Sequence, residues 1–69
     1  MQPENKAELF NVYIKGLKSD FWRIRKISFE SILEMNMMDK NIFDKISNDE
    51  IYFVKETASK FKESSINFN

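Results

Sequence analysis

The stretch DFWRIRKISFESILEM, residues 20–35, decides the fold. Phe21, Ile24, Ser28, Ile32 and Met35 recur every three or four residues, so a helix places them on one face. Trp22, Phe29 and Leu33 run beside them as a flanking line. The resulting apolar arc is wider than a coiled-coil seam, which suits a helix covered on more than one side. It is the strongest amphipathic pattern in the chain. Ser19 or Asp20 is expected to cap its N-terminus, because either side-chain oxygen can accept from the free amides of the first turn. Arg23, Lys26, Glu30 and Glu34 lie away from the main face, and Lys26 can pair with Glu30 at i,i+4.

Upstream, Leu9, Phe10, Tyr13, Ile14 and Leu17 follow helical spacing with Val12 beside them, so a first helix is predicted over 4–18. Pro3 suits its first turn, and Glu4 and Glu8 suit the positive end of its dipole. Gly16 is the only glycine, and its expected use is close approach by the next helix across a short turn. Downstream, the pattern breaks at 36–39, with Asn36 a C-terminal cap residue and Met37 and Met38 tucked beneath the connection. Asp39 caps a short third helix with Ile42, Phe43 and Ile46 inward. A fourth helix is predicted over 49–63 with Ile51, Val54, Ala58 and Phe61 inward, followed by a frayed tail at 64–69.

Shifted by thirty residues, 12–28 matches 42–58 without a gap. Val12 falls on Ile42, Tyr13 on Phe43, Lys15 on Lys45, Asp20 on Glu50 and Phe21 on Ile51. Trp22 falls on Tyr52, Ile24 on Val54, Arg25 on Lys55 and Ser28 on Ala58. The unit is therefore helix, tight turn, helix, occurring twice, as in an α-solenoid. Unit one spans about 4–35 and unit two about 39–63 of one helical domain, 1–69.

An acidic turn, an aromatic, a β-branched residue followed by Arg or Lys, and a small residue four places later make up the motif. Here these are Asp20, Trp22, Ile24, Arg25 and Ser28, then Glu50, Tyr52, Val54, Lys55 and Ala58. This resembles the second helix of a HEAT-like repeat in its short, roughly thirty-residue form. The fold class implied is all-α, with four helices as two helix-turn-helix units of a HEAT-like α-solenoid. The resemblance also implies that Asp20 with Arg25, and Asp49 or Glu50 with Lys55, tie each turn to a helix. Trp22 is then a packing residue at the helix start before it is a recognition residue.

The units differ where it matters for partners. Ile14, Leu17, Ile27 and Phe29 of unit one stand opposite Asp44, Ser47, Thr57 and Ser59 of unit two. Unit two therefore reads as a polar-ended cap and unit one as an interior repeat, apolar on both sides. Two consequences stay open. The free side of unit one packs on a second copy of the chain in a two-fold dimer. Otherwise, the extra apolar residues of the first helix close the core of one compact four-helix domain.

Sixty-nine residues permit one domain with a small core, for which oligomerisation or docking to a larger protein is a common remedy. Ten aromatics, seven of them Phe, are many for this length and either fill that core or leave surface for a partner. Eleven basic and eleven acidic side chains cancel, but 15–26 holds five positive charges and one negative, and 27–50 six negative and two positive. That layout supports head-to-tail or antiparallel self-association, or is no more than a solvated surface. Cysteine and histidine are absent, which fits a cytoplasmic home and argues against structural zinc or a Ser-His pair. The start, MQPENKAEL, has no signal-peptide character, and no apolar run reaches a membrane span.

No glycine-rich phosphate loop or EF-hand spacing occurs. No enzyme activity, cofactor, metal, membrane or small-molecule substrate is expected. The expected function is a non-catalytic protein–protein interaction module, a small adaptor or regulator, whose partner is another protein or a second copy. Its candidate contacts are Phe10, Ile14, Leu17, Trp22 and Phe29, with Ile66 and Phe68 of the tail. The alternative is nucleic-acid binding through Lys15, Lys18, Arg23, Arg25 and Lys26 with Trp22 and Tyr13 nearby, since cations hold phosphates and aromatics stack bases. Balanced net charge weighs against it.

Overall fold

The computed structural model describes residues 6–62, with side chains through Lys60. Expectations for Pro3, Glu4, the Phe61 side chain and the tail, including Ile66 and Phe68, lie outside the described residues. Four helices follow one another: α1 (Lys6–Gly16), α2 (Trp22–Glu34), α3 (Lys40–Ser47) and α4 (Tyr52–Lys62). No strand occurs among the described residues, so the chain is all-α. Helix α2 lies between α1 and α4, and α3 packs on α4. That placement covers α2 on two sides, as its wide arc requires.

One core joins all four helices or their connections. Leu17, Phe29 and Ile32 meet Met38, Ile42, Phe43, Ile46, Val54 and Ala58, all buried. Phe29 and Phe43 hold their rings tilted, with centroids 6.3 Å apart. Phe10, Tyr13 and Ile14 of α1 pack against this cluster half-buried. Thus the extra apolar residues of α1 do help close a shared core. The sharpest division of apolar from polar residues belongs to α3, with Ile42, Phe43 and Ile46 buried, rather than to α2.

Helix α2 carries apolar residues around more of its circumference, and only some of them are buried. Its buried residues are Ser28, Phe29 and Ile32, so the core takes Ser28 and Ile32 of the main face with Phe29 of the flanking line, while Phe21 and Ile24 at the start of the main face stay outside it. Phe21 is 72% exposed and Ile24 46%. Helix α4 draws α2 toward its Trp22–Phe29 side, and no described element covers the Ile24 side fully.

Each connection has a local cause. Gly16 lets α1 and α2 close up, because a Cβ there would collide with the Ser28 Oγ and reach within 3.1 Å of its Cβ. Helix α2 ends with Asn36 at φ 60, a left-handed conformation that Asn tolerates better than most residues. Its N–H donates to the Leu33 carbonyl at 3.1 Å and the Met37 N–H to that of Ile32 at 3.3 Å. This paired closure is the Schellman motif, with Met37 half-buried on the core and Met38 fully buried. The Asp39 carboxylate accepts from the Ile42 N–H at 2.9 Å and starts α3.

Neither Ser19 nor Asp20 caps α2. Phe21 occupies the cap position without a side-chain bond. Ser19 acts one step earlier, its Oγ accepting from the Phe21 N–H at 3.1 Å. Asp49 does the same before α4, accepting from the Ile51 N–H at 2.9 Å. The Phe21 carbonyl accepts from Ile24 and Arg25, and the Ile51 carbonyl from Val54 and Lys55. The two turns therefore carry the same hydrogen bonds thirty residues apart.

Candidate interaction surface

The Arg25 guanidinium lies across both turns. It donates to the Asp49 carboxylate through Nε at 2.7 Å and Nη2 at 3.0 Å, and through Nη1 to the Ser19 carbonyl at 2.8 Å. Both side chains are largely buried. A fork-to-carboxylate pair of this kind fixes direction as well as distance. Its hydrogen bonds hold the Asp49 carboxyl below the usual carboxylate range, against desolvation. The partner of Arg25 is thus Asp49 of the second turn, not Asp20 of its own. With Asp49 taken, Lys55 stays exposed and makes no ion pair among the described residues.

Around this pair an open cleft of about 360 Å³ runs between the turns. Lys18, Arg25 and Lys45 line it together with Asp20, Asp49 and Glu50. Three cations and three anions share its lining, so the cleft offers no single sign of field to a charged ligand.

A row of rings stands at the N-terminal ends of α2 and α4. Trp22 stacks on Phe53 with centroids 5.2 Å apart and planes at 29°, and Tyr52 meets Phe53 edge-on at 5.9 Å. The Arg23 guanidinium carbon sits 5.2 Å from the centre of the Trp22 ring, a cation–π distance. Tyr52 and Phe53 are exposed. Trp22 is half-buried, held between α2 and α4 as a packing residue. A shallow apolar pocket of about 310 Å³, lined by Phe21, Trp22, Arg23 and Ile24, joins this row to the outer side of α2.

That outer side carries the clearest signal. Ile27 is 58% exposed, whereas Thr57, thirty residues on, is 3% exposed. The expectation of a polar outer side at Thr57 is thereby reversed. Thr57 is buried, its hydroxyl donating to the Val54 carbonyl, and the isoleucine faces out. Val12 is exposed as well, one turn before Gly16, whose neighbours on α2 are Ser28 and Ile24.

The expected partner contacts divide accordingly. Leu17 and Phe29 are core and cannot touch a partner in the folded chain. Phe10, Ile14 and Trp22 lean on that core half-buried. The exposed apolar residues are instead Val12, Phe21, Ile24, Ile27, Tyr52 and Phe53. The mismatch of Ile27 with Thr57 was the sequence signal that marked this side. Among the basic candidates, Lys15 and Lys18 are exposed, Arg23 rests on Trp22, Arg25 is paired with Asp49, and Lys26 with Glu30 at 2.8 Å.

No family model, no curated protein and no solved structure matches the chain. No described helix is long and apolar enough to cross a membrane.

Proposed function

We propose that the chain is a non-catalytic protein–protein interaction module, a small cytoplasmic adaptor or regulator built as two HEAT-like units. The matching hydrogen bonds of the two turns support the two-unit arrangement. The single observation that carries the function is the exposed Ile27 where the second unit buries Thr57. In the second unit that position is buried, in a helix that packs on both α2 and α3. In the first unit it is apolar and open, and contiguous exposed apolar surface marks interaction sites. Nucleic-acid binding has less support, because Arg25 and Lys26 already spend their charge inside the molecule.

Affinity capture with the full chain and its Ile27→Asp variant tests this. The protein captured by the wild type should be lost with the variant, and Lys15→Glu with Lys18→Glu should change nothing. A nucleic acid retained by the wild type and lost with the lysine variants would contradict it.

A further inference from the structure

The outer strip of α2 is apolar in its middle and oppositely charged at its ends. Ile24, Ile27 and Ser31 follow the i, i+3, i+7 spacing of a helix–helix seam. Arg23 precedes this seam and Glu34 follows it. The two are three helical turns apart, so they share one line roughly 16 Å long. Both are exposed, and neither makes an ion pair among the described residues. Both also oppose the helix dipole. Arg23 stands in the first turn, where α2 has no acidic residue, and Glu34 in the last, where it has no basic one. Within one chain Arg23 has the Trp22 ring for a neighbour but no anion, and neither charge gains from the helix dipole.

We infer that the occupant of this strip is the same strip of a second copy, laid antiparallel about a two-fold axis that crosses the strip midway between Ile27 and Glu30. The inference rests on the reading of the strip as a protein-docking face and names its partner. An antiparallel copy sets Arg23 of each chain beside Glu34 of the other at both ends. It also places each charge beside the helix end of opposite sign, which corrects the dipole mismatch. In this register Ser31 of one copy falls between Ile24 and Ile27 of the other, a small residue opposite two large ones. A parallel copy would set arginine beside arginine and glutamate beside glutamate. A head-to-tail stack on the pattern of the two units would set Lys55 against Ser19, in place of the Arg25–Asp49 pair.

Charge reversal tests the register. Sedimentation of the full chain should show a dimer whose dissociation constant rises about tenfold in Arg23→Glu and again in Glu34→Arg, since each change makes two like-charge contacts. The chain carrying both changes should return to within about threefold of the wild type. Melting curves of all three should show a folded chain, because both residues are exposed. Wild type that stays monomeric to about 1 mM overturns the inference while leaving capture of a foreign protein as a separate result. Single reversals without effect, or a double reversal that is not rescued, overturn the antiparallel register.

Discussion

Arg25 and Asp49 form the contact on which the two turns depend. Asp49→Ala would leave a guanidinium largely buried with only the Ser19 carbonyl for a partner. The expected loss is about 1.5–3 kcal/mol in urea unfolding, the range for hydrogen bonds to charged groups. The pH dependence follows from the lowered Asp49 value. Its stabilisation is present in full above the unfolded carboxylate's value of about 3.9 and is lost as the pH falls through the lower folded value. Asp49→Asn should therefore be less stable at neutral pH and show a shallower loss of stability in acid. An unchanged acid limb in the variant would remove Asp49 from the account. Gly16 makes a second residue-scale case. Gly16→Ala should destabilise by about 1 kcal/mol despite the better helix propensity of alanine, because its Cβ meets Ser28. Adding Ser28→Ala should recover part of that loss in thermal melts. The close approach at Gly16 was legible in the sequence, because a lone glycine beside a short turn has few other uses. The partner of Arg25 was not, since the resemblance to a HEAT-like repeat implies Asp20 of the same turn, and only the packing of one turn on the other brings Asp49 to it.

At the scale of the element, α3 depends most on its ends, being eight residues long. A helix so short has little propensity to spare. Asp39→Ala should cost about 1 kcal/mol and raise amide exchange at Ile42 first. Equal protection of that amide in the variant would show that packing alone holds the turn. All four helices and the Asn36 and Asp39 signals were readable from periodicity and end residues. The rotation of α2 was not. Its apolar arc spans Phe21 and Ile24 as well as Phe29 and Ile32, so pattern alone cannot say which half is covered. The position of α4 settles that, with Trp22 seated on Phe53. The start of α2 was misjudged for a related reason. Ser19 bonds the Phe21 amide two residues on, forming the turn itself instead of capping the helix after it.

Over the whole molecule, a single small core holds four helices and leaves one side of the first hairpin apolar. Leu17 and Phe29 were expected at a partner and instead fill that core, because a domain this size needs its largest side chains inside. Ile24 and Ile27 stay outside on α2, where no third helix among the described residues covers them. The most direct measurement is sedimentation equilibrium of the wild-type chain beside Ile27→Asp, from about 10 µM to 1 mM, a range set by the small area of one helix strip. The wild type should rise from the 8.3 kDa of one chain toward twice that mass, with the variant remaining at one chain while folding normally. A wild type that stays at one chain throughout, or a variant that associates as strongly, would contradict the account.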